Sequence, residues 1–267
     1  MNAPIGVFDS GVGGLTVARE IMRQLPEENL VYFGDTARVP YGTKSKETVI
    51  RYSKQIIRFL LSKGVKAIVI ACNTASAVCL PELEALYNIP IIGVVEPGAN
   101  SAAKATKNKN IGIIGTNGTV KSGVYTKLLR KKDPEITVVT KACPLFVPLV
   151  EEGLIDDRIT EDVTQRYLSE LKGYDIDALV LGCTHYPLLM NPIGHYMGEK
   201  VTLVNPAYET AKTLKATLNE SNIANTEGNG GNHEYYVSDM VEQFLTFADR
   251  VLPCHVDKVN YIEIEKY

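Results

Sequence analysis

Eight short apolar runs recur along this chain, six of them closing on a polar residue or a cysteine: "IGVF" (5–8), "LVYFGD" (30–35), "AIVIAC" (67–72), "PIIGVV" (90–95), "IGIIGT" (111–116), "ITVVT" (136–140), "ALVLGC" (178–183) and "VTLVN" (201–205). Most show no apolar–polar alternation. A strand with one wet face alternates; a parallel strand covered on both faces does not. The segments between them, such as "KETVIRYSKQIIRFLLSK" (46–63) and "EDVTQRYLSELKG" (161–173), carry apolar residues at helical spacing. Strand and helix therefore alternate, which restricts the chain to a doubly wound α/β architecture with mainly parallel sheets.

The runs also repeat. "IGVFDS" at 5 resembles "IGIIGT" at 111, an offset of 106, and "VKAIVIACNT" at 65 resembles "IDALVLGCTH" at 176, an offset of 111. Two elements recurring in the same order imply two similar α/β halves, and 267 residues are enough for both. The second half is expected to span 97–206. The first is expected to be discontinuous, 1–96 plus 207–267, with two crossings joining the pair. The last segment contains a helix-like stretch ("AYETAKTLKATLN"), a polar loop ("NTEGNGGN") and "HEYYVSD".

Ligands of open α/β sheets bind beyond the carboxyl ends of the strands. Five motifs fall at such positions: Asp9-Ser10 before Gly11-Val12-Gly13-Gly14, "DTARVPYG" (35–42), Cys72-Asn73-Thr74, Thr116-Asn117-Gly118-Thr119, and Cys183-Thr184-His185. A lone cysteine ending a buried strand is most often a small core residue. Two of them at repeat-related positions, each with a threonine within two residues, point elsewhere. If the halves face one another, two thiols stand on opposite sides of one cleft. Such a pair removes a proton from one face of a tetrahedral carbon and returns one to the other, which is racemisation or epimerisation. Thiols need help to act as bases at neutral pH. His185 is placed to support Cys183, and Asp9 lies beside the strand that leads to Cys72, although a carboxylate alone raises a thiol pKa by repulsion. Asp9 could instead cap the helix that starts near Gly13.

Other classes fit less well. Five cysteines, widely spaced and without a CxxC pair, argue against a disulfide framework and a structural zinc site; Cys79, Cys143 and Cys254 read as structural. The net charge of −3, with basic residues only in local clusters, gives no stripe for nucleic acid. No apolar run is long enough to span a bilayer and the N-terminus lacks a signal-peptide pattern, so no membrane association and a cytoplasmic location are expected. "DSGVGG" is not a dinucleotide fingerprint, but its glycines let backbone N–H groups approach a carboxylate. His185 lacks further ligands at metal spacing, so no metal is expected.

Together "IGVFDSGVGGLTV", "GDTARVPYG", "IACNTA", "GVVEPGA", "ACPLFVPLVEEG" and "LGCTHYPLL" resemble the glutamate racemases of the cofactor-independent aspartate/glutamate racemase superfamily, in that order and over nearly the whole chain. The resemblance implies two pseudo-symmetric α/β domains with the active site in the cleft between them. It implies Cys72 and Cys183 as the acid/base pair, assisted by Asp9, Glu151 and His185. It implies glutamate held by Asp9, Ser10, Tyr41, Gly42, Asn73, Thr74, Thr184 and His185, with Thr116 and Thr119 as further carboxylate contacts. D-glutamate would feed peptidoglycan synthesis, and a homodimer is expected. No lysine sits in a Schiff-base setting, so no cofactor is expected. Two alternatives stay open: an aspartate racemase, whose relatives tend to carry Glu where this chain has His185, and an α/β protein that only binds acidic amino acids.

Overall fold

The structure is a computed structural model that describes residues 2–228 and 230–267. Every apolar run contains a strand: β1 (Ile5–Asp9), β2 (Leu30–Gly34), β3 (Ala67–Ile70), β4 (Ile91–Gly93), β5 (Asn110–Gly115), β6 (Thr137–Ala142), β7 (Ala178–Gly182) and β8 (Thr202–Val204). Two more, β9 (His233–Val237) and β10 (Val259–Tyr261), lie in the last segment. The strands form two sheets, ordered β10-β9-β2-β1-β3-β4 and β6-β5-β7-β8, with every neighbouring pair parallel.

The order β2-β1-β3-β4 in one sheet is matched by β6-β5-β7-β8 in the other. The sequence repeat maps onto this match: β1 corresponds to β5 and β3 to β7, the two inner strands of each unit. Their side chains are buried throughout β1, β3 and β7, as the lack of alternation requires. The edge strand β6 departs from that expectation. Its residues are exposed or half-buried, and it lies at the sheet edge with a single neighbour, β5. After β8 the chain returns to the first sheet, where β9 pairs with β2 and β10 with β9.

Two long helices tie the halves together. The helix Leu15–Gln24 packs on Pro206–Glu220, and Pro206–Glu220 also packs on Val95–Ala105. Leu15, Ile21, Leu214 and Leu218 are fully buried in one apolar cluster that reaches residues of both sheets. Each such side chain contributes about 1.5–3 kcal/mol by leaving water. The chain crosses between the sheets just before Val95 and just before Pro206, so this cluster braces both crossings. Among the described residues, no helix is long and apolar enough to cross a membrane.

Candidate active site

In each sheet the connections leave the two inner strands in opposite directions, β1 toward β2 and β3 toward β4, β5 toward β6 and β7 toward β8. That reversal opens a crevice at the carboxyl ends of the inner strands. All five motifs sit there. Asp9 ends β1, Cys72 follows β3 by two residues, Thr116 follows β5, and Cys183 follows β7. Two strand ends stop short of their apolar runs because the chain turns at once into a helix. Cys72 is the N-cap of Asn73–Leu86 and its Sγ accepts from Ala75 N at 3.5 Å. Thr116 caps Asn117–Ser122, with Oγ1 accepting from Thr119 N at 3.3 Å.

The two thiols are nearly inaccessible, Cys72 at 5% and Cys183 at 6% exposure, and a charge on Cys183 is felt at Cys72. Their surroundings differ. Ser10 Oγ lies 3.5 Å from Cys72 Sγ. Cys183 Sγ lies 3.8 Å from His185 Nδ1, and the opposite ring nitrogen meets Glu151 Oε1 at 2.9 Å. Glu151 is held there by packing: it ends the helix Phe146–Glu151, whose Phe146 ring stands edge-on to Tyr186 at 5.2 Å, while the Tyr186 hydroxyl donates to Cys143 O at 2.8 Å.

The glycines of "DSGVGG" let the halves touch. A Cβ on Gly13 would lie 2.4 Å from His185 Nδ1 and 2.5 Å from Thr184 Oγ1. One on Gly14 would lie 2.4 Å from Asp9 Cβ. Thr16 Oγ1 donates to Thr184 O across the same contact at 2.9 Å. Asp9 does not cap the helix behind it: the N-cap of Leu15–Gln24 is Gly14, without a side-chain bond. One Asp9 oxygen, Oδ2, accepts from Gly11 N at 3.0 Å, and the other, Oδ1, is buried without a partner. A buried acceptor left open costs free energy unless a ligand fills it.

On the far side, Thr74, Thr116 and Thr119 put three hydroxyls in one cluster, at 2.9 Å (Thr74 to Thr116), 3.1 Å (Thr116 to Thr119) and 3.4 Å (Thr74 to Thr119). Thr74 belongs to the first half and the other two to the second. Gly42 presses on them, since its Cβ would lie 2.8 Å from Thr116 Cβ. Tyr41 is brought to the cleft wall, but its hydroxyl is turned away and donates to Asp35. Asn73 Oδ1 accepts from the Tyr125 hydroxyl at 2.8 Å.

Residues 5–214 match the family of Asp/Glu/Hydantoin racemases. The chain is 49% identical to a glutamate racemase of Geobacter metallireducens over 98% of its own length and 97% of the relative's. The chain belongs to the Asp/Glu/Hydantoin racemase family, among its glutamate racemases. Two solved structures are similar throughout. A glutamate racemase isoform from Bacillus anthracis has a TM-score of 0.93 at 42% identity, covering 98% of this chain and 97% of that one. The glutamate racemase from Francisella tularensis in complex with D-glutamate has a TM-score of 0.93 at 37% identity, covering 100% and 99%.

In this racemase the electrostatics set the two sides apart. Burial pushes the Cys72 thiol up to about 12, and the Asp9 carboxylate adds to the rise. For His185, burial alone would lower the pKa, but bonds and charges at Cys183 and Glu151 outweigh it and raise the value to about 10. His185 is therefore an imidazolium at neutral pH. Burial also raises the Asp9 carboxyl, against the pull of His185 and of backbone N–H groups. Among the described residues, no three His, Cys, Asp or Glu side chains group as a metal site.

The structure also brings in residues outside the expected set. Asp35 is fully buried and accepts from Arg38 Nε at 2.8 Å, from Ser238 Oγ at 2.8 Å and from Tyr41. Arg38 stacks over Tyr52 with 4.0 Å to the ring centroid. This network fixes the loop that carries Tyr41-Gly42. Its signals were in "DTARVPYG" and "HEYYVSD", but nothing along the chain says that these two stretches meet.

Proposed function

We propose that this chain interconverts L- and D-glutamate without a cofactor, through two thiols that act on opposite faces of Cα. The carrying observation is the equivalence of Cys72 and Cys183: each follows the second inner strand of its unit, both are buried, and their partners differ. In the resting site the Cys72 thiol keeps its proton, while the His185 imidazolium, fixed by Glu151, stands beside Cys183 and favours negative charge on that sulfur when it acts as the base. Cys183 removes the Cα proton of L-glutamate as Cys72 delivers its own to the other face. D-glutamate requires the opposite loading, with Cys72 as base and Cys183 as acid.

Binding follows from the unpaired groups. Asp9 Oδ1 takes the ammonium, which supplies the partner that burial denies it. The hydroxyls of Thr74, Thr116, Thr119 and Thr184, the Ser10 hydroxyl, the Asn73 amide and backbone around Tyr41-Gly42 take the carboxylates. We read the halves as 1–96 with 207–267 and 97–206, closing over the substrate. The same proposal carries a cytoplasmic homodimer that supplies D-glutamate for peptidoglycan; light scattering of the purified chain tests the dimer.

The test of function is chirality-resolved turnover of glutamate and aspartate with no cofactor added. Aspartate is one methylene shorter, so either its distal carboxylate falls short of its donors or Cα leaves the line between the sulfurs. A displacement near 1 Å costs about 10²-fold in rate. Glutamate turnover in both directions, with aspartate at least about 10²-fold poorer in kcat/KM, is expected. Comparable values would make this a general acidic-amino-acid racemase, and no turnover would leave only binding.

A further inference from the structure

Tyr125 is a buried side chain, 3% exposed, that the proton transfers do not use. It lies on the helix Val124–Lys132 of the second half. Its hydroxyl reaches across to the first half and donates to Asn73 Oδ1 at 2.8 Å. Two motif glycines make room for it. A Cβ on Gly98, in "GVVEPGA", would stand 3.1 Å from the Tyr125 hydroxyl, and a Cβ on Gly182, just before Cys183, would stand 3.4 Å from Cε2 of the ring. The first is tighter than ordinary packing, so the hydroxyl or its neighbours would have to shift.

A carboxamide has an accepting end and a donating end of nearly equal size, and only its hydrogen bonds decide which way it faces. Burial, with the charge at Cys183, holds the Tyr125 hydroxyl well above its ordinary pKa, so it keeps its proton. A neutral phenol next to a carboxamide oxygen donates to it. The Asn73 oxygen is thereby committed, and its NH2 makes no hydrogen bond among the described residues.

We propose that Tyr125 is a positioning residue that, by donating to Asn73 Oδ1 across the two halves, holds the Asn73 carboxamide with its NH2 turned to the substrate carboxylate. The proposal rests on the reading of Asn73 as a substrate-binding residue. Without the hydroxyl the amide can turn, and an amide oxygen facing a carboxylate repels it. Because Asn73 serves both enantiomers, the loss is the same in the two directions.

The experiment is steady-state racemisation kinetics of Tyr125→Phe, Asn73→Ala and the double variant, with folding checked by circular dichroism. Tyr125→Phe should raise KM for L- and D-glutamate on the order of tenfold, with kcat within about threefold. Asn73→Ala should raise KM at least as much, and adding Tyr125→Phe to it should change KM less than about twofold, because the hydroxyl then has nothing to orient. A merely structural tyrosine would lower the yield or Tm and leave this coupling at zero. An unchanged KM in Tyr125→Phe, or effects that multiply in the double variant, overturns the role of Tyr125 while sparing Asn73. An unchanged KM in Asn73→Ala overturns both. Should Tyr125→Phe not fold, Gly98→Ala displaces the hydroxyl instead: it should raise KM in both directions, and a wild-type KM would refute the proposal.

Discussion

Replacing His185 by Asn separates the two sides of the site. Cys183 has His185 beside it, 3.8 Å from Sγ, whereas Cys72 has Ser10 and the Ala75 N–H. The substitution therefore removes a cation from one thiol only. Against burial, Cys183 and Glu151 raise the pKa of His185 from 6.5 to about 10. Losing the cation should cost proton removal by Cys183 on the order of 10²-fold, at the low end of the usual range for acid–base catalysis. Cys72 feels the change indirectly, through Asp9, whose carboxyl His185 holds down, and through the charge at Cys183, so its loss should stay within about tenfold. Racemisation cannot reveal this, because an equilibrium constant of one ties kcat/KM in the two directions together. Glutamate carrying chlorine on Cβ avoids the tie. Removal of the Cα proton expels chloride, and the enamine hydrolyses to 2-oxoglutarate and ammonia, which does not reverse. For His185→Asn the 2-oxoglutarate yield from the enantiomer that Cys183 deprotonates should fall on the order of 10²-fold, and from the other much less. Equal losses, or a larger loss on the Cys72 side, would refute the one-sided role of His185.

The same elimination assay gives opposite pH profiles for the two enantiomers: the Cys183 side holds to about pH 10 and falls as His185 loses its proton, while the Cys72 side climbs toward about pH 12 as that thiol ionises; parallel profiles would contradict the assignment. Asp9→Asn should raise Tm at neutral pH by about 2–4 °C while lowering turnover at least on the order of 10²-fold. A carboxyl whose folded pKa is raised stabilises the fold only in acid and loses that contribution as pH rises, so the gain should vanish in acid melts, and a lower Tm at neutral pH would refute the reasoning. Gly13→Ala puts a methyl 2.4 Å from His185 Nδ1 and should cost about 10²-fold in turnover, whereas Gly173→Ala, with nothing within 4 Å, should turn over as wild type.

The architecture was legible because it is written in local pattern. Parallel strands buried on both faces leave unbroken apolar runs, and the offsets of 106 and 111 already related β1 to β5 and β3 to β7. The last two strands were harder to see. "HEYYV" carries polar residues at its start and "VNY" is only three residues long, so their pairing depends on β2 rather than on their own composition. The strand-end cysteines announced themselves for the same reason, since a run's last residue lies at the sheet's carboxyl edge. What could not be read was partnership. Ser10 beside Cys72, the Asp35–Arg38–Ser238 network behind Tyr41, and Tyr125 behind Asn73 all join residues distant along the chain. No periodicity encodes such contacts.

The most direct test of the two-thiol claim is to racemise each pure enantiomer of glutamate in D₂O and stop within the first few per cent of conversion. The sulfur acting as base holds only the proton it has just taken, which reversal returns to the substrate, while the opposite thiol, exchanged with solvent, delivers deuterium to the product face. The product should be fully deuterated at Cα and the recovered substrate should carry none, from either direction. Deuterium entering the recovered substrate as fast as the product would mean that a single base serves both faces, and would contradict the account.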